Sequence, residues 1–366
     1  MQKLTNSVHA ILSSRIMKSA RHKILIIVDA PNWSHDFKTR SLQRSLGGKY
    51  EILKRFQSEV SEADLKNADL ILVYYWLQFN QMKHLEDAFM RNRSKLLVGV
   101  CSHFELEGEL RASALSTLRK MARGVFANNL RLHKELQSLL DVPLFYTPNG
   151  VTTDFYRPLI NSIPAERSNF FPGSDRFQAK LKVGPSRVGS LIKNVSNIGA
   201  RYAMTNTRLR VGWAGSLSNQ GPQQRGFYDL IVPAVSSVNQ VQLVVAAREE
   251  KWRSPKEMLE FYRSIDVYLC ASRSEGTPNP CLEAAASGVS LLTTRVGNMP
   301  ELIQDGVNGL FIERNISDIA TKLRQLRDNP TLRTELNESM LLSIPAWDWE
   351  SQAGNYQNMF DTMLNI

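Results

Sequence analysis

The amino-acid sequence predicts two consecutive α/β domains, each built on a parallel β-sheet. In both halves of the chain, short runs of apolar residues alternate with longer segments of mixed polarity. This pattern is typical of strands that are buried on both faces of a helix-covered sheet. The length of 366 residues exceeds one such core and accommodates two, each of about 150–200 residues. Right-handed crossovers then make each half Rossmann-like.

The N-terminal half contains five apolar runs with the length of strands. The predicted strands lie at 23–30, 50–56, 69–76, 95–101 and 124–128. The predicted helices between them lie at 36–47, 80–92 and 108–123. The regular order of strand and helix predicts a parallel sheet in this half.

The same pattern starts again in the C-terminal half. The predicted strands lie at 209–215, 241–247, 266–272, 289–294 and 309–312. The predicted helices lie at 226–237, 255–264, 280–287 and 316–328. A second parallel sheet is therefore expected, with its own helical cover.

The domain boundaries follow from changes in composition. We predict an N-terminal extension over 1–22, a first domain over 23–148 and a second over 208–343, with a last helix over 344–366 that crosses back to the first domain. Residues 149–207 are predicted to be a linker and a basic insertion, partly helical or disordered. From 160 to 207 the insertion carries seven basic and two acidic residues. That charge suits docking on an acidic membrane surface or on a polyanionic acceptor, and it equally suits a disordered solubilising loop.

Composition narrows the classes of function. The net charge of +10 and the pI near 9.5 suit an anionic partner, and charge alone does not choose among nucleic acid, acidic lipid and a phosphorylated small molecule. The three cysteines are far apart, so neither a disulfide framework nor a structural zinc site is expected. No apolar run has the roughly 18 residues needed to span a bilayer. We expect a cytoplasmic protein, with peripheral contact to a membrane as an option.

The segment S-R-S-E-G-T-P-N-P-C-L-E-A-A-A-S-G at 272–288 carries the most specific chemistry. A strand ends at its beginning, so the following loop lies at the sheet edge where open α/β folds bind ligands. Asn279 is expected to cap the next helix, with Pro280 in the first turn. The free N–H groups of that helix can bind a pyrophosphate. Gly276 lets the backbone approach a ligand closely, and Glu283 can accept two hydrogen bonds from a vicinal diol.

Two glutamates separated by seven residues in this setting resemble the E-x7-E motif of glycosyltransferase family 4. The resemblance implies the GT-B fold, in which two Rossmann-like domains face each other across a cleft. It also implies that Glu275 contacts the donor sugar and that Glu283 holds the ribose of the nucleotide. Backbone and side chains at Gly276, Thr277, Pro278 and Asn279 would complete the donor pocket.

Other segments extend the resemblance. The stretches 146–158, 261–272, 296–312 and 344–349 are similar to segments of the family, whereas 23–145 is similar only in architecture. Around Gly215 and Ser216 the family carries phosphate-binding residues. Arg225 stands where its lysine would bind the diphosphate, and Ser216 stands where many members carry a second cation.

The acceptor side is less well marked. His103 follows the predicted strand 95–101, and family members often have a histidine there that points toward the donor sugar. It is also an ordinary position for a structural histidine. Trp33 follows the first strand and either stacks on an acceptor sugar or packs in the core.

The resemblance implies a retaining glycosyltransferase that moves a hexose from a nucleoside-diphosphate sugar to a hydroxyl of a glycan, a lipid-linked or another acceptor. Synthesis of cell-surface polysaccharide or glycoconjugate is the expected setting. The sequence lacks D-x-D, so no metal site and no cofactor are expected. It also lacks the P-loop, G-x-S-x-G and H-E-x-x-H motifs. Three alternatives remain: a nucleotide-sugar epimerase of the same fold, a silent nucleotide-sugar-binding protein and a nucleic-acid binder, although no nucleic-acid partner is expected.

Overall fold

The computed structural model describes residues 21–158, 208–217 and 222–365. They form two all-parallel sheets, of six strands in the order β2-β1-β3-β4-β5-β6 and of five in the order β11-β10-β9-β7-β8. The strands are β1 Lys23–Val28, β2 Glu51–Phe56, β3 Leu70–Val73, β4 Leu96–Val100, β5 Gly124–Ala127, β6 Leu144–Tyr146, β7 Leu209–Gly215, β8 Val241–Ala247, β9 Val267–Cys270, β10 Ser290–Thr293 and β11 Leu310–Phe311.

Helices cover both sheets. The α-helices are α1 Ser34–Leu46, α2 Glu62–Asn67, α3 Glu86–Arg91, α4 Gly108–Met121, α5 Leu130–Gln137, α6 Thr153–Tyr156, α7 Pro222–Arg225, α8 Val232–Ser236, α9 Pro255–Arg263, α10 Asn279–Ala286, α11 Met299–Leu302, α12 Ile316–Asp328, α13 Pro330–Ser343 and α14 Trp349–Leu364. None of the helices within these described ranges is long and apolar enough to cross a membrane.

The central strands β1 and β3 form in unbroken apolar runs of the sequence, after the first residue of β1. All residues of β3 are fully buried, as are those of β1 after its first residue. Both faces of each sheet pack against helices, so the hydrophobic core is split into four clusters, two on each sheet. The prediction of a parallel α/β fold is confirmed.

Three local predictions differ from the structure. Strand β6 was not predicted because its three residues are too short for a clear apolar run. The helix predicted at 80–92 consists of two 3₁₀ turns, Trp76–Gln81 and Lys83–Leu85, followed by α3. The helix predicted at 226–237 begins with a π-helical turn, Phe227–Ile231, before α8.

The last helix, α14, packs against the N-terminal sheet. Tyr356, Met359 and Phe360 are fully buried in the same core cluster as residues of β1 and β3. The Tyr356 hydroxyl donates to the carbonyl oxygen of Thr147 at 2.9 Å. The C-terminal end of the chain therefore joins the two halves, and α14 covers one side of α1.

The domain boundaries drawn from composition stay a prediction. The basic insertion after residue 158 and all but the last two residues of the N-terminal extension lie outside the described residues.

Candidate active site

The motif with the two glutamates lies at the carboxyl edge of the C-terminal sheet. Strand β9 ends at Cys270 and helix α10 begins at Asn279, so the loop between them emerges between the neighbouring strands β7 and β10. Ligands of parallel α/β sheets bind at this edge. The loop is therefore placed where the sequence predicted it.

Glu275 and Arg225 form an ion pair at this edge. Arg225 Nη1 lies 3.0 Å from Glu275 Oε1, and the Ser272 hydroxyl donates to the same oxygen at 2.9 Å. The two side chains are only 23% and 18% exposed. Arg225 Nε is buried and has no hydrogen-bond partner among the described residues. The guanidinium thus keeps a donor that no described residue uses, although the atom itself is buried.

A glycine places Arg225 beside the loop. Gly226 has a φ of +67°, and a Cβ there would lie 2.9 Å from the carbonyl oxygen of Ala271. The amide of Arg273 donates to the carbonyl of Gln224 at 2.8 Å, which ties the two segments together. Left-handed backbone with so little room requires glycine. Arg225 is consequently held against the loop by backbone contacts.

Glu283 lies on α10 beside two tyrosines. The Tyr262 hydroxyl donates to Glu283 Oε2 at 2.7 Å, and Tyr156 also hydrogen-bonds the carboxylate. Burial raises the pKa of Glu283 to about 7, although both hydroxyls act in the opposite direction. The desolvated carboxyl group therefore changes its charge near neutral pH.

Asn279 does not cap α10 as predicted. It is the first residue of the helix, Pro278 precedes it, and no side chain caps this end. Its Oδ1 instead accepts a hydrogen bond from Asn149 Nδ2 at 2.9 Å. The prediction was wrong because a tertiary partner takes the oxygen that would otherwise bond the helix N–H groups. Pro280 has no N–H group, and the amide of Cys281 donates to the carbonyl oxygen of Pro278 at 2.8 Å, so this terminus offers an anion the positive end of the helix rather than a set of free N–H groups.

The loop touches the N-terminal half directly. Ser274 Oγ lies 3.1 Å from Ser102 Oγ and accepts a hydrogen bond from the amide of Phe104 at 3.2 Å. A Cβ at Gly276 would fall 1.5 Å from the carbonyl oxygen of Cys101. On the other side, Thr277 Oγ1 accepts from Asn298 Nδ2 at 3.0 Å. The two halves are therefore in contact at this loop, and only glycine fits there.

His103 borders the same contact. It begins a 3₁₀ turn, His103–Leu106, directly after β4. Burial, and the charge of Arg131 to a smaller extent, lower the pKa of His103 below its usual value. Its Nε2 is buried without a hydrogen-bond partner in the described part of the chain. A neutral imidazole with an unused nitrogen can hydrogen-bond a sugar hydroxyl.

A cavity of about 970 Å³ separates the two halves. Predicted site residues that line it are Glu283, Asn279, Gly215, Ser216 and Trp33. The other predicted residues, Glu275, Gly276, Thr277, Pro278, Arg225 and His103, lie around the loop contact and do not border this cavity. The structure thus brings the predicted residues into two adjoining groups, one along the cavity and one around the loop that precedes α10.

Two of the cavity residues have partners that the sequence did not indicate. Trp33 stacks on the guanidinium of Arg248, whose Cζ lies 4.2 Å from the ring centroid and also faces Trp252 at 5.1 Å. The Ser216 hydroxyl donates to Glu249 Oε1 at 2.6 Å. Where many relatives carry a second cation, this chain has a serine bound to a carboxylate. Arg248 and Glu249 directly follow strand β8, at the same carboxyl edge of the sheet. Their position after a predicted strand could have identified them as site residues from the sequence.

Parts of the chain are similar to a known protein family and to known enzymes. Residues 251–340 match the family model of the glycosyl transferases group 1. A D-inositol 3-phosphate glycosyltransferase of Nocardiopsis dassonvillei is 28% identical over 237 residues, which cover 63% of this chain and 54% of that protein. Another, of Corynebacterium aurimucosum, is 27% identical over 31% of this chain and 27% of its own length. The matches thus span about half or less of these relatives.

Solved structures agree in fold over nearly the whole chain. The Anabaena protein HepE in complex with UDP-glucose has a TM-score of 0.65 at 14% identity, covering 93% of this chain and 99% of that one. Sucrose-phosphate synthase from Thermosynechococcus elongatus has a TM-score of 0.63 at 12% identity, covering 94% and 100%. The chain therefore has the GT-B fold of glycosyltransferases, and its residues 251–340 match the family model of the glycosyl transferases group 1.

Proposed function

We propose that the protein is a retaining glycosyltransferase that moves a sugar from a nucleoside-diphosphate sugar to an acceptor hydroxyl. The observation that carries the proposal is the placement of Glu275 and Glu283 at the two ends of one motif on the sheet edge. Glu283 borders the cavity, whereas Glu275 pairs with Arg225 beside it. The group 1 match covers both glutamates. The relatives named for sugar transfer and the UDP-glucose complex of a structural neighbour support the same reading.

Each residue has a defined task in this proposal. Glu283 accepts hydrogen bonds from the ribose diol, while the positive end of α10 and the Arg225 guanidinium hold the diphosphate. Glu275 orients the sugar, and neutral His103 hydrogen-bonds it. In a front-face substitution the departing phosphate accepts the proton of the acceptor hydroxyl. The protein then contributes positioning and leaving-group electrostatics rather than a nucleophile.

The loop contact between the halves fits such a reaction. Contact at Gly276 closes the space around the donor sugar from one side, and exclusion of water limits hydrolysis of the donor.

We also propose that transfer needs no metal ion, because a fixed cation and a helix terminus can supply the positive charge. Glycan, lipid-linked and other hydroxyl acceptors are all compatible with the fold.

A panel of UDP-, GDP-, ADP- and dTDP-sugars tests this function by thermal shift. A nucleotide sugar at a hundred times its dissociation constant is expected to add about 2.7 kcal/mol to the free energy of unfolding. NMR of the transfer product then reports the anomeric configuration, which should equal that of the donor. If none of the four classes raises the melting temperature, the proposal fails. Binding without transfer to any acceptor would indicate the silent binding protein instead.

The affinity for the nucleotide sugar should depend on pH through Glu283. Only the ionised carboxylate accepts both ribose hydroxyls, and its pKa in the free protein is about 7. Affinity should therefore fall about tenfold from pH 8 to pH 6, because most of the carboxyl groups are then protonated. Calorimetry with the intact nucleotide sugar measures this, since its diphosphate lacks the terminal ionisation of a free phosphate near pH 6. The Glu283→Gln variant should bind weakly at both pH values. A wild-type profile as flat as that of the variant would show that the ribose is held elsewhere.

Replacement of Glu275 by glutamine should separate sugar contacts from nucleotide contacts. We expect kcat to fall about 10- to 150-fold, the equivalent of one hydrogen bond to a charged group, whereas the affinity for the free nucleoside diphosphate should stay within a factor of about three. Steady-state kinetics and calorimetry with the diphosphate give the two values. Equal losses in both measurements would assign Glu275 to the diphosphate rather than to the sugar.

A further inference from the structure

Lys38 is a buried cation without a counterion. It lies on α1 and is 2% exposed, with Nζ 4.7 Å from the ring centroid of Tyr74 and 5.2 Å from that of Tyr356. Within the described part of the chain its amine makes no hydrogen bond or ion pair. The nearby carboxylate of Asp36 is already bound by Lys54 and Arg40. Burial lowers the pKa of Lys38 to about 8.

The amine borders the cavity between the two halves. The charged residues among the described lining are Lys38, Arg40, Arg44, Arg248, Lys251, Arg253 and Glu283, so one carboxylate faces six cations. Three of the cations pair with carboxylates that lie outside the lining: Arg40, Lys251 and Arg253. Lys38 differs from the rest because it is both buried and unpaired.

The position of Lys38 separates it from the proposed donor contacts. Glu283, Ser216 and the start of α10 form the C-terminal wall of the cavity, whereas Lys38 belongs to the N-terminal wall. The diphosphate already has Arg225 and the positive end of α10 in the proposed function. A further charge on the opposite wall therefore suits a second anionic group.

We propose that Lys38 binds an anionic oxygen group, a phosphate ester or a carboxylate, carried by the acceptor. This inference rests on the proposed function and names the class of acceptor. The faces of Tyr74 and Tyr356 hold the ammonium group in place without neutralising it. An anion that enters the cavity then meets a fixed and desolvated cation, which strengthens their interaction.

Stability distinguishes this function from a structural role. A methionine fills nearly the same volume as the lysine stem and packs well against aromatic rings. Since an unpaired buried ammonium group is unfavourable, Lys38→Met should keep or raise the melting temperature. A clear fall in melting temperature, matched by Lys38→Gln, would show that the cation–π contacts serve the fold and would overturn the proposal.

Three hexoses that differ only in the group at carbon 6 test which anionic group, if any, the cavity binds. Glucose, glucose 6-phosphate and glucuronate are titrated by calorimetry into protein saturated with the nucleoside diphosphate selected by the donor panel, with inorganic phosphate as a bare anion. We expect one or both anionic hexoses to bind at least tenfold more tightly than glucose, and the better one identifies the group. Lys38→Met should weaken that binding about 10- to 150-fold. The control is Lys251→Met, which removes a cavity lysine that is already paired with Glu257.

The outcomes separate the two proposals. If no anionic probe outbinds glucose, if Lys38→Met binds it as wild type does, or if phosphate competes with the nucleoside diphosphate, the acceptor proposal is overturned while nucleotide binding stands. Failure of the wild type to bind any nucleoside diphosphate would instead overturn the proposed function, and this inference with it.

Discussion

Replacing Arg225 with alanine is expected to lower kcat by about 100- to 1000-fold, the loss typical of removing one group that stabilises developing charge. Negative charge collects on the diphosphate as the glycosidic bond breaks, and the structure fixes the cation Arg225 beside the loop that precedes α10. Its buried Nε has no partner among the described residues, so the guanidinium can turn a donor toward phosphate. Arg225→Lys should recover part of the rate, because the charge remains and only the two-pronged geometry is lost.

Loss of the ion pair with Glu275 is a second explanation for a slow Arg225→Ala variant. A double mutant distinguishes the two explanations. If Arg225 acts only by holding Glu275, the variant Arg225→Ala/Glu275→Gln should be as slow as the Glu275→Gln variant alone. If Arg225 acts on the diphosphate, the two effects should add in free energy. Arg273→Ala is the matched control. Arg273 lies on the same loop as Glu275, but its side chain is 67% exposed and lies 3.9 Å from its acidic partner, Glu107.

Removal of metal ions with EDTA tests whether Arg225 and α10 supply the positive charge without a metal. Initial rates should be unchanged in EDTA, because the proposed positive charge comes from Arg225 and from the start of α10, the latter contributing roughly 0.3–2 kcal/mol. Thermal melts of each variant control for unfolding. Abolition of transfer by EDTA with rescue by magnesium or manganese would contradict the proposal. An unaffected Arg225→Ala variant would place the cation elsewhere.

The sheets and the glutamate motif could be predicted because both are local. A strand that is buried on two faces is apolar at every position, as in β1 and β3, and its length separates it from a helix. The loop after β9 could be placed because every parallel strand ends at the same edge. The spacing of Glu275 and Glu283 needs no tertiary information.

The burial of α1 could not be predicted from its sequence. Asp36, Lys38, Thr39 and Ser41 read as a solvent-facing surface, yet all four are buried. The cover comes in part from α14, more than 300 residues later in the chain, and no local pattern encodes that contact. For the same reason the cap predicted at Asn279 was wrong, since its partner Asn149 lies 130 positions away.

Gly276→Ala is expected to reduce kcat/KM by about 100-fold or more, although only one methyl group is added. The new Cβ would lie 1.5 Å from the carbonyl oxygen of Cys101 and 2.3 Å from Asn128 Nδ2. The carbonyl oxygen of Cys101 is a backbone atom next to the end of β4, so it cannot move aside by a change of side-chain rotamer. Retreat of the loop is also blocked, because the carbonyl of Gly276 lies close to Gly297. The two halves must therefore move apart.

A displacement of about 1 Å at the reacting centre is enough for such a loss. The halves themselves should stay folded, and binding of the free nucleoside diphosphate should change little, since Glu283 and its tyrosines lie on one half together with α6. Calorimetry measures the binding of the nucleoside diphosphate, and steady-state kinetics measure turnover. Small-angle scattering measures the separation of the two halves. Gly354→Ala is the control, because a Cβ at that glycine on α14 meets nothing within 4 Å. Full activity of Gly276→Ala would mean that the contact between the loop and Cys101 is absent from the state in which the sugar is transferred.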